Sequence, residues 1–304
     1  MSRKMKQVSI IIVTYNSEKD IFDCVNSIKR KADIPLSEIE LIIVDNCSRE
    51  PQPMFMRLRQ QWGEDIVLIE NTQNGGYGQG NNVGIRHATA PVILIMNPDV
   101  RMMGPFLRKP LEAFQQDEKL IMYGMKQMFT PSIPSRFSFL FTVMTNGYVR
   151  TLLTGLCNRM DWYWPRWMYF SGSCFFVRKT MFEAVGLFDE SVFMYGEEDD
   201  IHYRLSRKFG NYFRYDPSIR YIHLMLGRTP SLSYEKKLLE VDLYHHEKKG
   251  WPVQKTLRTY LQTNNVLLAR CYLRKIRGKC DEENFAVLKA LRKEIKTRIK
   301  DLKK

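Results

Sequence analysis

The 304-residue sequence contains no apolar run long enough to cross a bilayer. Its longest clean apolar stretches, Val8–Val13 and Val92–Met96, have the length of strands, whereas a spanning helix needs about 20 residues. The amino-terminal segment also lacks the layout of a secretory signal. Its short apolar run after Lys4 and Lys6 passes straight into Thr14-Tyr15-Asn16. The expected location is cytoplasmic, with any membrane contact peripheral and on the inner face. The six cysteines form no CxxC pair, which argues against a zinc site or a disulfide framework, and Cys24 and Cys174 read as buried thiols within apolar patterns. Internal repeats and low-complexity segments are absent. Acidic residues are scarce in the last part of the chain: residues 251–304 carry 15 Lys and Arg against 5 Asp and Glu, and so hold ten of the fourteen net positive charges. Such a tail is either a solvated charged helix or a surface for an anionic membrane or a partner subunit in a homodimer. Nucleic acid is not an expected partner, because no recognised module is present and the aromatic residues lie outside the basic region.

What is present is an ordinary globular composition, 44% hydrophobic and 26% charged. Over the first hundred residues strand and helix signals alternate. Val8–Val13, Leu41–Val44, Ile66–Ile69 and Val92–Met96 read as buried strands. Ile21, Cys24, Val25 and Ile28 recur at helical spacing behind Ser17, a candidate N-cap, and residues 81–88 read as a second helix. This alternation predicts an α/β fold with a mostly parallel sheet flanked by helices. Ligands of such sheets bind beyond the carboxyl ends of the strands, so the polar residues after each strand are the ones to inspect. From about Met122 the rhythm breaks, and residues 129–169 read as a long irregular, aromatic-rich stretch, of the kind that is usually functional. A short strand at Cys174–Val177, a capping box beginning at Thr180, a helix over 198–209 closed by Gly210, and helices over 235–247 and 253–304 complete the reading. Residues 1–230 are expected to form one domain and 231–304 a basic helical extension.

Asp99 follows the fourth strand within Asn97-Pro98-Asp99. A carboxylate there suits a hard divalent cation bridging substrate phosphates, and Asn-Pro-Asp is equally good turn chemistry. Asp45 can accept hydrogen bonds from a base or ribose. The turn containing Asn74 and Gly76 and running into Asn81 lacks the glycine spacing of a dinucleotide-binding loop, but it can still present backbone N–H groups to a phosphate or sugar. Glu197-Glu198-Asp199-Asp200 is either the acidic first turn of a helix, with Asp200 and Arg204 spaced as a pair, or the source of a general base. His223 fits a core position or a metal ligand. Trp164 and Trp167 can stack on sugar rings or pack in a core or dimer interface.

In order along residues 7–230, the segments Val8 to Ser17, Ile43-Val44-Asp45-Asn46, Asn74 to Gly78, Gly80-Asn81-Asn82, Asn97-Pro98-Asp99, Ser171-Gly172, Val185 to Glu190 and Phe193 to Asp200, with His223, resemble the inverting glycosyltransferase family 2 of the GT-A fold, and its bacterial rhamnosyltransferase-like members in particular. The resemblance implies transfer of a sugar, rhamnose as a first expectation, from a dTDP- or UDP-sugar to a hydroxyl of a glycan or a lipid-linked glycan. By that resemblance Thr14, Tyr15, Asn16 and Asp45 hold the nucleotide, and Asn74, Gly76, Asn81 and Asn97 line the donor pocket. Asp99 and His223 hold Mg²⁺ or Mn²⁺. Glu198, flanked by Glu197 and Asp199, supplies the base, and Trp164, Trp167, Ser171 and Gly172 face the acceptor. The sequence departs from the family's DxD pattern, having one carboxylate at 97–99 where that pattern has two. A non-catalytic nucleotide-sugar or glycan binder that kept the fold is the alternative.

Overall fold

A computed structural model describes residues 5–142, 146–224, 231–279 and 281–302. The chain divides into two compact units, residues 1–140 with 163–225, and residues 141–162 with 226–304.

The first unit is built on an eight-stranded sheet. In chain order its opening elements are β1 (Val8–Thr14), α1 (Glu18–Lys31), β2 (Ile39–Asp45), α2 (Gln52–Trp62), β3 (Val67–Glu70), α3 (Gly76–His87), β4 (Val92–Met96), β5 (Val100–Met102), α4 (Arg108–Gln116), β6 (Met122–Met128) and β7 (Phe139–Phe141). After α5 (Gly147–Met160), which belongs to the second unit, it resumes with β8 (Met168–Phe170), β9 (Cys174–Arg178), α6 (Lys179–Ala184), α7 (Glu197–Phe209) and β10 (Phe213–His223). The sheet order is β3-β2-β1-β4-β9-β6-β10-β5, and β7 pairs with β8 in a separate two-stranded ribbon. β9 runs antiparallel to both its neighbours and β5 antiparallel to β10, while the remaining pairings are parallel.

The unbroken apolar character of β1, β2 and β4 is the signature of strands covered on both faces, and nearly every residue in them is buried. On one face α1 contributes Ile21, Cys24, Val25 and Ile28, the predicted stripe. Ser17 does precede α1, but its hydroxyl turns back to the carbonyl of Tyr15 and does not cap the helix. α3 begins at Gly76, five residues before the predicted start, because the glycine-rich segment is itself the first turns of the helix. α6 begins at Lys179, so Thr180 lies inside it and no capping box forms.

The largest departure from the sequence reading lies beyond Met122. β6 is a fully buried strand that periodicity failed to announce. β10, which the sequence reading did not include, contains Asp216-Pro217-Ser218. In the structure these residues form an irregularity inside the strand, where the register against β6 shifts between Asp216 and Arg220 and the Asp216 carboxylate accepts from Ser218 N at 2.8 Å. A proline is tolerated at such a bulge because the ladder asks no N–H of it there.

The second unit is helical. It comprises α5, α8 (Leu232–Lys248), α9 (Val253–Ile276) and α10 (Glu282–Asp301). α5 corrects the expectation of an irregular stretch: Asn146 caps it by accepting from the N–H groups of Tyr148 and Val149, and Asp161 ends it in the left-handed conformation with φ 56°. The predicted helix over 253–304 is two helices, parted after Ile276 by Gly278 at φ +66° and restarted by the Asp281 cap. Leu239, Leu257, Leu291 and Ile295 form one buried cluster of this unit. Among the described residues no helix is long and apolar enough to cross a membrane.

Asn82 clamps α3 to the segment before α7. Its amide donates to the Phe188 carbonyl at 2.9 Å and to Glu190 Oε1 at 2.8 Å, and its carbonyl accepts from Phe188 N at 3.0 Å. Asn82→Ala leaves both backbone groups of Phe188 without these partners and is expected to destabilise the fold by about 1–3 kcal/mol, read from the urea midpoint; an unchanged midpoint would contradict the clamp.

Candidate active site

The carboxyl ends of β1, β2 and β4 open onto a cleft of about 400 Å³. β1 contributes Val13, Thr14 and the following Tyr15 and Ser17, β2 the following Asn46, and β4 Met96 with Asn97 and Pro98. Asn74, Gly76, Tyr77 and Asn81 close it from the turn and first turns of α3, and Phe193 and Met194 cover it from the segment before α7. Six of the predicted donor residues therefore meet in one place: Thr14, Tyr15, Asn74, Gly76, Asn81 and Asn97. Asp45 and Asn16 are not among the lining residues. Asp45 is fully buried, and its carboxylate accepts from Thr14 Oγ1 at 3.1 Å and from Ser48 N at 2.8 Å and Oγ at 2.6 Å. Asn16, with φ 49°, donates its N–H to the same Ser48 hydroxyl at 2.8 Å.

Asn46 lies in a quoted motif but was not singled out, and it organises this wall. Its amide donates to Asn74 Oδ1 at 2.9 Å and to the Gly76 carbonyl at 3.1 Å, while its own carbonyl accepts from Asn71 at 2.7 Å. Gly76 is required for two reasons. Its φ of +89° lies in the region that disfavours side chains, and a Cβ would overlap the Phe193 carbonyl. That closeness lets Tyr77 N donate to the Phe193 carbonyl at 3.0 Å, which fixes the apolar cover over the cleft.

Asp99 and His223 come together through strand pairing. Asp99 immediately precedes β5, whose Val100 is paired with His223 at the end of β10, and His223 Nε2 lies 3.3 Å from Asp99 Oδ2. Burial pushes the Asp99 carboxyl up, but the hydrogen bond and charge of His223 outweigh it and the net shift is downward, favouring the carboxylate. His223 Nδ1 is buried without a hydrogen-bond partner among the described residues. A carboxylate oxygen beside an imidazole nitrogen is a donor set that fits Mn²⁺, and Mg²⁺ less well because of the nitrogen.

Antiparallel β9 carries Ser171 and Gly172, expected to face an acceptor, to the same sheet end. Cys174 at its start is registered with Met96 at the end of β4, and Asn97 N donates to the Ser173 carbonyl at 2.9 Å. Gly172 N in turn donates to Glu198 Oε1 at 3.1 Å, and the Gly172 carbonyl accepts from Tyr77 OH at 2.6 Å. A Cβ on residue 172 would overlap the Glu198 carboxylate, so only glycine permits this approach. Ser171 Oγ lies 3.1 Å from Ser173 Oγ, which reaches Tyr221 OH at 2.9 Å. The segment 171–173 thus touches Glu198 on one side and Asn97, two residues from Asp99, on the other. Tyr77, like Asn46, is a site residue that the sequence reading did not pick; nothing in its spacing distinguished it from a core aromatic.

The four consecutive acids are sorted by the helix that begins at Glu197. Asp200, almost fully buried, is held by Arg204, whose Nε and guanidinium nitrogen lie 2.7 and 2.6 Å from Oδ2. Glu197 and Asp199 are buried, and Glu198 is the half-buried member of the four. Trp164 and Trp167 do not line the cleft. They are exposed on a turn whose Pro165 carbonyl lies 3.1 Å from His202 Nε2, one helical turn beyond Glu198. The neighbouring Tyr163 follows the packing reading, stacked on Phe170 with ring centroids 4.7 Å apart.

With this geometry in place, comparison with known proteins identifies the framework. The glycosyl transferase family 2 profile matches residues 9–186. The chain is 30% identical over 211 residues to the low-salt glycan biosynthesis hexosyltransferase Agl10 of Haloferax volcanii, covering 67% of this chain and 63% of that protein. It is 26% identical over 312 residues to the N-acetylglucosaminyl-diphospho-decaprenol L-rhamnosyltransferase of Mycobacterium tuberculosis, covering 89% of this chain and 95% of that one. Among solved structures, the mannosyltransferase PcManGT of Pyrobaculum calidifontis, in complex with GDP-Man and Mn²⁺, superposes with a TM-score of 0.59 at 16% identity, over 97% of this chain and 84% of its own. That likeness shows the fold, which is GT-A.

Burial pushes the Glu197 carboxyl up to about 8, with the Glu198 charge adding to the effect. The folded protein therefore keeps a proton that the unfolded chain releases above its ordinary value of 4.5, and the stability this contributes is lost as pH rises from 4.5 through about 8. Glu197→Gln should remove that loss, so urea midpoints of variant and wild type should diverge in the variant's favour across this range; parallel curves would contradict the burial of an ionisable group here.

Proposed function

The chain belongs to glycosyl transferase family 2, and we propose that it catalyses inverting transfer of a sugar from a nucleoside diphosphate donor to a hydroxyl of a lipid-linked glycan. The observation that carries this reading is the convergence, at one sheet end, of a strand-end cleft, the Asp99–His223 pair and the Glu198 carboxylate. The proposed site is metal-dependent, with Asp99 and His223 holding Mn²⁺ or Mg²⁺. When bound, such a cation supplies positive charge against the leaving diphosphate. The side chains of Thr14, Tyr15, Asn81 and Asn97 bind and orient the nucleotide and its sugar, on a wall that Asn46 holds in shape. The Gly76 turn, at the start of α3, brings the positive end of the helix dipole to the phosphates, the N–H groups of Gly76 and Tyr77 being used within the turn and its cover. Phe193 and Met194 exclude water from the cleft.

Glu198 is the proposed base. Held by Gly172 N–H, it takes the proton of the acceptor hydroxyl at Oε2. The hydroxyl oxygen then forms its bond to the anomeric carbon as the bond to the nucleoside diphosphate breaks on the opposite face, and the product carries the inverted configuration. Glu197 and Asp200 are less suited: one is buried with its proton retained, the other is paired with Arg204. Trp164 and Trp167, partly exposed near α7, are the proposed contacts for acceptor sugars. L-Rhamnose is the first donor sugar to test, on the strength of similarity to the mycobacterial rhamnosyltransferase over most of both chains.

Glu198→Gln is expected to lower kcat at least about a hundredfold, as loss of a general base does, with donor Kd little changed; near-wild-type turnover would remove Glu198 from the role. Asp99→Ala should abolish the strengthening of donor binding by Mn²⁺ seen in calorimetry. Equal sensitivity of wild type and variant to EDTA would contradict its role as a ligand. The anomeric proton of the product, read by NMR, should report inversion.

A further inference from the structure

The helical unit carries a second cleft, of about 590 Å³, between α9 and α10. Its α10 wall is formed by Lys289, Arg292, Lys293 and Lys296. The spacing i, i+3, i+4, i+7 places all four on one helix face. Among the described residues no carboxylate pairs with any of them. Two acids of the same helix are engaged elsewhere, Glu282 with Lys275 and Glu294 with Lys236 and Arg298. Arg292 is held in place, its Nε donating to Asn265 Oδ1 on α9 at 2.9 Å, and Lys289 lies over the Phe285 ring at 4.3 Å.

Four like charges on one face repel one another, and folding alone gives no reason to gather them around a cavity. The α9 wall opposite is mainly apolar, with Leu268, Ala269 and Tyr272. The same end of α9 exposes a further apolar edge: Tyr272, Leu273 and Ile276 are 51%, 59% and 83% exposed. These are flanked in sequence by Arg270, Arg274, Lys275, Arg277 and Lys279. Cationic side chains around an apolar edge are what a helix needs to lie in the interface of an anionic bilayer. A soluble polyanion would use the charges and leave the apolar edge idle.

We propose that the α9–α10 cleft binds the phosphate headgroup of an anionic phospholipid, with Tyr272, Leu273 and Ile276 entering the interface beside it. The site is independent of the transfer chemistry, and its test does not involve activity. The full-length protein is sedimented with vesicles of phosphatidylcholine alone and of phosphatidylcholine with phosphatidylglycerol. Wild type should bind the anionic vesicles in a salt-sensitive manner and leave the neutral ones unbound. Changing Lys289, Arg292, Lys293 and Lys296 together to Gln, a residue with similar helix propensity, should weaken binding at least about tenfold, since each basic side chain near such a surface contributes roughly a factor of five. The matching change at Arg30, Lys31, Lys119 and Arg207 in the sheet unit should leave it near wild type. The variant Lys289→Arg, Lys293→Arg, Lys296→Arg should retain binding, which separates charge from folding. The proposal is overturned if wild type ignores anionic vesicles, if both Gln variants lose binding equally, or if inorganic phosphate stabilises the protein through the four residues while vesicles do not bind.

Discussion

The site depends on one short contact, the hydrogen bond from Gly172 N–H to the Glu198 carboxylate. It exists because residue 172 has no Cβ and because β9 enters the sheet antiparallel between β4 and β6. A parallel strand in that position would place its start at the opposite edge, far from Thr14, Tyr15 and Asn97. Running the other way, β9 starts where β4 ends, so the segment 171–173 meets Asn97 and the acids of α7 together. Tyr77 locks the same segment from α3 through the Gly172 carbonyl. A carboxylate from late in the chain is thereby brought to the rim of a cleft built mostly from its first hundred residues.

Around that contact, most of the polar groups are committed to one another. Asp45 holds Thr14 and Ser48, Asn46 holds Asn71, Asn74 and Gly76, and Asn82 holds Phe188 and Glu190. Satisfied networks of this kind fix a wall's shape, which is what precise placement of a diphosphate requires. The acids of α7 show the same economy of roles. One turn of helix sends four adjacent carboxyl groups in different directions, so that one is neutralised by burial, one is paired with Arg204 and one is left half-buried against Gly172.

Much of this was legible in the sequence, for definite reasons. Continuous apolar runs gave β1, β2 and β4, and the rule that ligands sit beyond strand ends led directly to Thr14, Tyr15, Asn97 and Asp99. The ordered motifs led to Glu198 and His223. What escaped notice depended on distant partners. Nothing local marks Tyr77 or Asn46 as site residues, because their roles are set by Gly172 and by the turn at 74–76. α5 was hidden by the surrounding aromatics despite its Asn146 cap, and β10, absent from the sequence reading, carries a proline within its irregularity. Asp45, named from its place at a strand end, is buried and bonded to Thr14, and Asn16 is exposed and bonded to Ser48; neither lines the cleft.

The central claim is that the Gly172–Glu198 contact sets the reacting carboxylate without serving donor binding. It is tested most directly by measuring kcat and donor Kd for Gly172→Ala. The added methyl must push the carboxylate away, and a displacement of about 1 Å at a reacting group costs on the order of a hundredfold in rate. The account predicts a fall in kcat of at least about tenfold on that scale, with donor Kd close to wild type. An unchanged kcat, or a loss confined to donor affinity, would contradict it.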